Sequence, residues 1–512
     1  MFRIENVTIL YKKDLRTLVK DFSLTVRPLD KIAVIGEEGN GKSTLLKWMY
    51  DPGLVEDYAE VSGKRIVQNT VQGYLPQELP ETDREKSVYG YLSEENAFLE
   101  ATPGEIAELS RKTGLPSEFF YEDRPMRTLS GGEKIKIETV RIMVKKPSLY
   151  FLDEPSNDLD QDTLEWLESF IREEKAAFVY ISHDEVLLEN TAERIVHLEL
   201  LKRKTEPKIT VSNTGYLEYV RRREDLFDRQ MRIAVSERRE EKIRMEKYRR
   251  IQQKVENDLR SVSRQDPHGG FLLKKKMRSV KAMGKRFERE RENQTEIPEK
   301  EEAIMFHFEN TRPVPSGKII LDYKETELRT PDGKEVLVKN PELFVAGPSK
   351  VCITGKNGTG KTTFLKTVWQ LLKDRTDIHA AYMPQNYEDL LENEKTPVEY
   401  LAPERTAEKI TKVRKALGAL KYTTLEMEHP IRELSGGQKA KVFLLKMVLD
   451  GADVLLLDEP TRNFSPLSAP VIREVLAEFP GTVISVSHDR KYIEEVPDTV
   501  YELTKNGFLK KE

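Results

Sequence analysis

The chain carries one set of four short motifs twice, in the same order. The first motif, Gly36-Glu-Glu-Gly-Asn-Gly-Lys-Ser-Thr44, returns as Gly355-Lys-Asn-Gly-Thr-Gly-Lys-Thr-Thr363. Three more pairs follow, each separated by 305 positions: Leu129-Ser-Gly-Gly-Glu133 with Leu434-Ser-Gly-Gly-Gln438, Leu152-Asp-Glu-Pro-Ser156 with Leu457-Asp-Glu-Pro-Thr461, and Ser182-His-Asp184 with Ser487-His-Asp489. A repeat of this order and spacing predicts two domains of one fold within a single chain.

The glycine-rich motif of each copy directly follows an apolar stretch and precedes a helical pattern. We predict strands at Lys31–Ile35 and Lys350–Thr354, and strand–loop–helix is the order that a phosphate-binding loop (P-loop) requires. Its backbone N–H groups bind phosphate, its lysine reaches the β- and γ-phosphates, and its hydroxyl binds Mg²⁺. A glycine turn before a packed helix is the alternative, but it leaves the other motifs unexplained. The candidate nucleotide-binding residues are Gly36, Asn40, Gly41, Lys42, Ser43 and Thr44, with Gly355, Asn357, Gly358, Gly360, Lys361, Thr362 and Thr363 in the second copy.

Acidic residues and a histidine stand at the ends of two further predicted strands, Ser148–Leu152 and Ala177–Ile181. Asp153 would bind Mg²⁺ directly or through water, Glu154 would act as general base on the attacking water, and His183 would contact the γ-phosphate. A histidine at a strand end is usually structural, but this one is repeated. The second copy offers Asp458, Glu459 and His488 for the same roles. With a candidate Mg²⁺-sensing glutamine in each copy, the metal set is Ser43, Gln77, Asp153, Thr362, Gln385 and Asp458.

The Leu-Ser-Gly-Gly motif precedes a predicted helix, Lys134–Val144 in the first copy. Its bare backbone makes an anion-binding helix N-terminus, but it has neither the preceding strand nor the lysine of a P-loop. We infer that it closes over a nucleotide bound elsewhere, through Ser130, Gly131, Gly132, Ser435, Gly436 and Gly437. Tyr11 is a candidate for stacking on adenine, with packing beneath the loop as the alternative, and the second copy has no obvious counterpart.

The segment between the copies is strongly basic. Arg221–Glu290 holds 23 Lys and Arg against 12 Asp and Glu, a net charge of +11, whereas the whole chain is at −4. Helix formers run from Tyr216 to about Leu259, with apolar residues three or four apart, and a second stripe restarts at Met277. We predict an antiparallel helical hairpin with a turn at Asp266–Gly270.

The far end of this hairpin, near residues 261–276, is the candidate interaction site. Basic residues cluster there beside an apolar stretch, and the candidate contact residues are Gln265, His268, Phe271, Leu272, Lys274, Lys275 and Lys276. Basic side chains can neutralise phosphates, and an exposed Phe can stack on an unpaired base or fill a small-molecule pocket. A solvated linker or a coiled coil that spaces two domains is the alternative, but a spacer needs neither feature at its end.

The composition indicates the cellular compartment of the protein. A single cysteine, Cys352, precludes an intramolecular disulfide and fits a reducing cytosol. No run approaches the roughly 18 apolar residues that span a bilayer, and no secretory signal is visible. We expect a cytoplasmic protein without a membrane or transmembrane partner.

Together the motifs resemble the ATP-binding cassette (ABC) superfamily. The resemblance covers most of both copies and implies ATP and Mg²⁺ as cofactors. It also implies that two cassettes pair head to tail, so that each ATP lies between the P-loop of one cassette and the Leu-Ser-Gly-Gly signature of the other. One site would then combine Lys42 and Glu154 with Ser435 and Gly437. The other would combine Lys361 and Glu459 with Ser130 and Gly132.

The basic hairpin narrows the resemblance to the ABC-F proteins, which are translation factors and antibiotic-resistance proteins that bind the ribosomal E site. The expected fold class is α/β: two P-loop NTPase cassette domains, at 1–213 and 301–512, joined by an antiparallel α-helical hairpin linker at 214–300. The resemblance implies a monomer with intramolecular cassette pairing. It also implies a 70S ribosome partner, with the hairpin reaching towards 23S rRNA, the P-site tRNA and the peptidyl-transferase centre.

Two departures from the housekeeping members point to the resistance subgroup. The gap from Gln77 to Leu129 is too short for the arm subdomain that several of them insert. The stretch Thr461–Pro466 reads Thr-Arg-Asn-Phe-Ser-Pro where the family usually has a Leu-Asp pair, as in Leu159-Asp160. The subgroup resemblance implies resistance to lincosamides, streptogramins A and pleuromutilins. The alternatives are a housekeeping ABC-F factor, a soluble ATPase subunit of an ABC transporter, and a DNA-associated ABC ATPase, which would have far longer coiled coils or a zinc hook.

Overall fold

A computed structural model describes residues 1–157, 159–261, 267–292, 294–298, 313–387 and 391–511 of the chain. It divides into two compact units: Met1–Tyr216 together with Glu301–Glu512, and Leu217–Lys300. Both copies of the repeat therefore belong to one unit, and the basic segment forms the other. Gln265, one of the predicted contact residues, lies outside the described residues.

The first copy contains strands and helices in alternation. Its strands are β1 (Phe2–Tyr11), β2 (Arg16–Val26), β3 (Lys31–Ile35), β4 (Ala59–Val67), β5 (Gln72–Leu75), β6 (Leu149–Asp153), β7 (Ala177–Ile181), β8 (Arg194–Leu200) and β9 (Glu206–Ser212). Its helices are α1 (Lys42–Tyr50), α2 (Glu81–Arg84), α3 (Val88–Ser93), α4 (Asn96–Leu99), α5 (Pro103–Thr113), α6 (Gly131–Met143), α7 (Gln161–Glu173), α8 (Glu185–Thr191) and α9 (Leu201–Lys204).

The second unit contributes α10 (Tyr216–Ser261, whose first residue belongs to the first unit) and α11 (Pro267–Glu292). The second copy then contains β10 (Lys318–Lys324), β11 (Glu327–Arg329), β12 (Val336–Lys339), β13 (Glu342–Gly347), β14 (Lys350–Thr354), β15 (Ala380–Met383), β16 (Val454–Asp458), β17 (Thr482–Val486), β18 (Thr499–Thr504) and β19 (Gly507–Lys511). Its helices are α12 (Lys361–Leu372), α13 (Pro397–Leu401), α14 (Ala407–Ala419), α15 (Thr424–Glu428), α16 (Gly436–Asp450), α17 (Ala469–Ala477) and α18 (Arg490–Glu495).

The two copies build the same main sheet. Its order is β5-β6-β7-β3-β8-β9 in the first copy and β15-β16-β17-β14-β18-β19 in the second. All neighbours run parallel except the last pair, which is antiparallel. The carboxyl ends of β3, β6 and β7 therefore meet at one edge, which is where a parallel sheet binds ligands. This confirms the predicted α/β fold with two cassettes.

The predicted strands have a simple physical basis. The residues of β3, β6 and β7 are buried along their whole length, as expected of parallel strands covered on both faces. Three of the predicted ranges coincide with β3, β7 and β14, and the fourth is displaced by one residue because β6 extends through Asp153. Cys352 is buried in β14.

The second unit is an antiparallel pair of helices, as predicted. Tyr248 of α10 packs edge-on against Phe287 of α11, with ring centroids 5.9 Å apart. Gly284 also faces Tyr248, since a Cβ there would lie 2.6 Å from its hydroxyl. Polar contacts continue the pairing, with Arg244 bound to Glu290 at 3.2 Å. Among the described residues, no helix is both long enough and apolar enough to cross a membrane.

The predicted position of the turn was wrong. We placed Gly269 and Gly270 in the connection, whereas the structure includes both in α11, which begins at Pro267. The physical reason is that proline suits the first position of a helix, where its missing N–H is not needed. Phe271 and Leu272 consequently lie on a helix and not in a loop, with 66% and 52% of their surfaces exposed.

Candidate nucleotide sites

The first P-loop needs glycine where the backbone passes close to β8. Gly36 has φ +145°, and a Cβ there would lie 2.2 Å from the Leu198 carbonyl oxygen. Gly41 has φ +85° and immediately precedes α1. The Lys42 ammonium folds over this loop and donates to the carbonyl oxygens of Gly36 at 2.8 Å and Glu37 at 3.0 Å. The lysine therefore lies where a P-loop holds the phosphates.

The second P-loop repeats this geometry. A Cβ on Gly355 would lie 2.6 Å from the Leu503 carbonyl oxygen, and Gly360 precedes α12 with φ +96°. The Lys361 ammonium donates to the carbonyl oxygens of Gly355 at 2.7 Å and Lys356 at 2.9 Å. The other predicted nucleotide-binding residues lie in the same two loops or at the first turns of α1 and α12: Asn40, Ser43, Thr44, Asn357, Gly358, Thr362 and Thr363.

The residues predicted to hold Mg²⁺ bring suitable oxygen atoms together. The Ser43 hydroxyl donates to Asp153 Oδ1 at 2.8 Å, and burial raises the pKa of Asp153 to about 6 despite that bond. In the second site the Asp458 carboxylate is buried beside Thr362, as Asp153 is beside Ser43. Burial raises its pKa to about 6, and nearby Thr362 and Lys361 oppose that rise. Hydroxyl and carboxylate oxygens are the ligands that Mg²⁺ prefers, so these residues fit the ion, which would neutralise phosphate charge there.

Glu154 is held by several hydrogen bonds. His183 Nε2 lies 3.2 Å from Glu154 Oε1, while the Asn157 and Gln77 amides donate to Oε2 at 2.7 and 3.1 Å. Burial alone would raise the pKa of Glu154, but His183 and Lys42 outweigh it and lower the pKa to about 2. Glu154 is therefore ionised at neutral pH, as a general base must be.

The imidazole of His183 also reaches the second cassette. Its Nδ1 lies 2.9 Å from the Phe464 carbonyl oxygen. Both ring nitrogens thus lie within hydrogen-bonding distance of an oxygen atom. The histidine consequently joins the Glu154 carboxylate of one cassette to the backbone of the other.

Glu459 has a different environment from Glu154. It accepts from the His488 backbone N–H at 3.1 Å and from the Ser487 hydroxyl at 3.4 Å. Burial raises its pKa to about 8, because burial together with the neighbouring Asp458 outweighs the opposing His488 N–H and Lys361. Burial, aided by Lys361, lowers the pKa of the His488 imidazole to about 4. The two sites therefore contain the same residue types, but the pKa of the glutamate is lowered in the first site and raised in the second.

Each signature motif begins a helix, and the first of these helices starts one turn earlier than predicted. We expected the first of these helices to start at Lys134, but α6 begins at Gly131 because Ser130 caps it and accepts from the Glu133 N–H at 3.2 Å. In the second copy, Ser435 likewise caps α16, with a 3.3 Å bond from the Gln438 N–H. Gly132 and Gly437 cannot carry a side chain, since a Cβ would lie 2.4 Å from Thr163 Oγ1 and 2.6 Å from the Asn463 carbonyl oxygen.

The first P-loop and the second signature are in direct contact, and we call this pair site A. Glu38 Oε2 accepts from the Gly437 N–H at 2.6 Å, at the N-terminus of α16. Gly436 lies beside the same carboxylate. A helix N-terminus is an anion site, so a side chain of the first cassette fills it with its own negative charge.

Glu37 makes a second cross-cassette contact at site A. Its carboxylate accepts from the hydroxyls of Ser465, at 2.6 Å, and Ser468, and lies 3.5 Å from Lys441 Nζ. Burial alone would raise the pKa of Glu37, but Lys441 and the two serines lower it to about 2. The altered stretch Thr461–Pro466 is thus built into the interface.

The second P-loop faces a cavity of about 490 Å³, which we call site B. The size lies within the range of small-molecule pockets. The cavity is lined from the second cassette by the P-loop, Gln385, Asp458, Glu459 and His488, and from the first by Ser156, Asn157, Leu159 and His183. Of the described residues that line it, none belongs to the first signature, so the structure does not bring Ser130, Gly131 and Gly132 into this cavity.

Tyr11 packs against the core of the first cassette and lies edge-on to Tyr58, with ring centroids 6.4 Å apart. Sequence reasoning missed Glu37, Glu38 and Lys441 as contributors to site A. A signal was present, because the second P-loop has Lys356 and Asn357 where the first has two glutamates.

Comparisons with known proteins agree with this geometry. The family model for the ABC transporter family matches residues 19–157 and 338–462. The ribosome protection protein VmlR of Bacillus subtilis is 27% identical over 98% of this chain and 87% of its own length. The ABC transporter F family member 2 of Arabidopsis thaliana is 25% identical, over 99% of this chain and 77% of its own. An archaeal ribosome recycling factor, aABCE1, solved with the ribosomal stalk protein aP1, has a TM-score of 0.58 at 18% identity, covering 98% of this chain and 89% of its own, and so shares the fold.

Proposed function

Because the chain belongs to the ABC transporter family and, within it, to the ABC-F ATPases, we propose that it is a cytoplasmic ATPase that acts on the ribosome. It binds at the E site with its cassettes closed on ATP and inserts the hairpin towards the peptidyl-transferase centre. There the hairpin protects the ribosome against lincosamides, streptogramins A and pleuromutilins. Hydrolysis separates the cassettes and releases the protein.

The observation that carries this proposal is the surface at the far end of the hairpin. Phe271 and Leu272 are exposed in the first turns of α11, and three consecutive lysines, Lys274–Lys276, are exposed after the half-buried Leu273. His268 is exposed as well. Apolar side chains next to basic ones suit RNA, where unpaired bases stack and phosphates are neutralised. The net charge of +11 over Arg221–Glu290 supports a polyanionic partner such as 23S rRNA or the P-site tRNA.

Two further observations support the ribosome and the resistance subgroup. VmlR, which is similar over nearly the whole chain, is named a ribosome protection protein. The altered stretch Thr461–Pro466, on which the subgroup resemblance depends, provides the Phe464 carbonyl that contacts His183 and the Ser465 hydroxyl that contacts Glu37 at site A.

A route from the nucleotide to the hairpin begins at the same stretch. The hydroxyl of Tyr216, the first residue of α10, donates to the Pro466 carbonyl oxygen at 2.8 Å. Pro466 lies two residues beyond Phe464, whose carbonyl contacts His183. When Glu154 removes a proton from the attacking water, the added proton changes the hydrogen bonds of His183. The change reaches the start of α10 through Thr461–Pro466, so that hydrolysis alters the position of the hairpin.

The first experiment tests ATP-gated binding. The double variant Glu154→Gln and Glu459→Gln binds ATP without a general base, and we expect it to co-sediment with 70S ribosomes when ATP is present. The matched control, Lys42→Ala with Lys361→Ala, removes the phosphate ligands and should not sediment. If the Gln variant stays in the supernatant, the gating model is wrong.

The second experiment tests protection in a sensitive strain. We expect Phe271→Ala with Leu272→Ala to lower the inhibitory concentrations of the three drug classes to those of the empty vector, while ATPase activity is retained. Leu226→Ala removes a similarly exposed side chain (67%) from α10 and should retain resistance. If the unsubstituted protein confers no resistance yet sediments with polysomes, the housekeeping role is favoured. Recovery in membrane pellets would favour a transporter subunit.

A further inference from the structure

Two buried arginines of the second cassette form ion pairs with acids of the first. The Arg473 guanidinium pairs with Glu185, with Nη2 and Oε2 3.3 Å apart. Arg490 pairs with Glu168 and with Asp184, whose Oδ1 lies 3.0 Å from Nη2. All five side chains are largely buried, and Arg473 is only 3% exposed. The contacts therefore lie inside the cassette interface and not at its rim.

The repeat relates these ion pairs to each other. Applying the offset of 305 positions, Glu168 of α7 corresponds to Arg473 of α17. Likewise Glu185, the first residue of α8, corresponds to Arg490, the first residue of α18. The pair Glu168–Arg490 is consequently the symmetry equivalent of the pair Arg473–Glu185. At both equivalent positions the first cassette is acidic and the second is basic.

The residues that bind Glu168 and Arg473 within their own cassettes also differ between the copies in a way that matches the charge. The Asn190 amide donates to Glu168 Oε2 at 2.8 Å, and its equivalent, Glu495, accepts from Arg473 Nε at 2.6 Å. Each cassette thus supplies a partner that suits the charge of its own residue, an amide for the glutamate and a carboxylate for the arginine. Asp184 and its equivalent Asp489 are identical and cap α8 and α18.

Two like cassettes paired in the same geometry would bring like charges together. Two first cassettes would place Glu185 of one against Glu168 of the other, and two second cassettes would place Arg490 against Arg473. Such an arrangement is unfavourable, because the buried charges have lost their water and the attraction between Glu and Arg across the interface is replaced by repulsion.

The P-loops show the same asymmetry independently. Glu37 of the first P-loop faces Lys441 and Ser465, whereas its counterpart Lys356 lies 3.7 Å from Asp162 of the first cassette. The residue that corresponds to Ser465 in the first cassette is Asp160. Two first cassettes would therefore also bring Glu37 against Asp160.

We propose that these reciprocal ion pairs select the partner of each cassette. The acidic face of the first cassette accepts a cassette with arginines at the two equivalent positions and excludes another copy of itself, and the basic face of the second cassette does the converse. The partner is the other half of the same chain. The proposal does not depend on what the hairpin binds.

The test exchanges the two faces in the full-length chain. Glu168→Arg, Glu185→Arg and Asn190→Glu make both faces basic, and Arg473→Glu, Arg490→Glu and Glu495→Asn make both acidic. All six substitutions together restore opposite faces with the signs exchanged. Glu165→Arg, on the exposed side of α7, controls for charge reversal itself.

Cassette pairing is read without using ATPase activity. Lys13 Nζ of the first cassette lies 3.5 Å from Glu433 Oε2 of the second, and both side chains are accessible, so a zero-length carbodiimide reagent can join them. We expect the wild type, the Glu165 control and the six-substitution protein to form this link equally. Each triple variant should lose at least tenfold in yield. A triple variant that links like the wild type, or a six-substitution protein that links no better than a triple variant, would overturn the proposal.

Mixing provides a second measurement that does not require either triple variant to close on itself. Equal amounts of the all-basic and all-acidic proteins should form a complex with twice the mass of one chain, measured by light scattering. Each triple variant alone should remain at the mass of one chain. If the mixture shows no complex, the charges do not select the partner.

Discussion

Substituting Glu38 by asparagine should strengthen ATP binding at site A. The Glu38 carboxylate occupies the amide at the N-terminus of α16 through a 2.6 Å bond to the Gly437 N–H. The resemblance to paired cassettes implies that ATP lies against this signature, so ATP must displace the carboxylate and also tolerate its negative charge. Asparagine is the residue at the equivalent position of the second P-loop, Asn357, so the loop accepts its shape.

The size of the effect follows from the bond that ATP must replace. A hydrogen bond to a charged group contributes about 1.5–3 kcal/mol. Since about 1.4 kcal/mol is a factor of ten in affinity, the loss of this competitor should lower the ATP dissociation constant of site A by at least about tenfold. The same substitution removes a contact between the cassettes, so the ATP-free protein should unfold at a lower temperature.

The assay is equilibrium binding of a fluorescent ATP analogue with Mg²⁺. Lys361→Ala serves as the background, because it removes the lysine predicted to bind phosphate in site B and leaves site A to be measured. The mirror control is Asn357→Glu in a Lys42→Ala background, which should weaken binding at site B. An unchanged or weaker affinity in the Glu38→Asn protein would refute the reasoning, since it would show that the carboxylate does not compete with phosphate.

Two other residues give predictions of stability. Burial, with Asp83 adding to it, raises the pKa of Glu138 to about 7 against the opposing Lys134 and Arg141. In the unfolded chain Glu138 ionises near pH 4.5, so the free energy of unfolding falls by about 3 kcal/mol as the pH rises from there to about 7. Glu138→Gln should therefore raise the melting temperature at pH 8 and leave it nearly unchanged at pH 4.5. An equal change in melting temperature at both pH values would contradict this. Tyr216→Phe leaves the Pro466 carbonyl oxygen without its 2.8 Å donor and should cost about 1–3 kcal/mol in the free energy of unfolding, measured by denaturant titration. Tyr121→Phe, on an exposed tyrosine, is its control and should be neutral.

Local sequence patterns were sufficient to predict the cassettes. The strands around the P-loops are short apolar runs that stop at a glycine or, after β7, at Ser182-His183, so β3, β7 and β14 could be placed to the residue. The two long helices of the hairpin were predicted from their apolar stripes. The start of α11 was missed because Gly269-Gly270 suggested a turn more strongly than Pro267 suggested a first helical residue.

The contacts between the cassettes could not be read from local patterns. Glu38 and Gly437 are 399 positions apart, and Arg473 and Glu185 are 288 apart. Glu38 occupies a variable position of the first P-loop motif and Glu185 lies just outside the Ser182-His-Asp184 motif, so neither residue gives an indication of its partner. The repeat contained the missing information, since aligning the copies shows where the first is acidic and the second is basic, but only the structure shows that these positions meet.

The contact between His183 and Phe464 has a consequence for how such proteins can vary. The bond ends on a main-chain oxygen, and the Phe464 side chain is itself buried elsewhere. Any residue that keeps the local backbone conformation would supply the same acceptor. Divergent relatives can therefore retain this hydrogen bond with a different amino acid at that position. Scanning by alanine would overlook it. Chemical synthesis that turns the peptide bond after residue 464 into an ester, whose carbonyl is a poorer acceptor, would expose it.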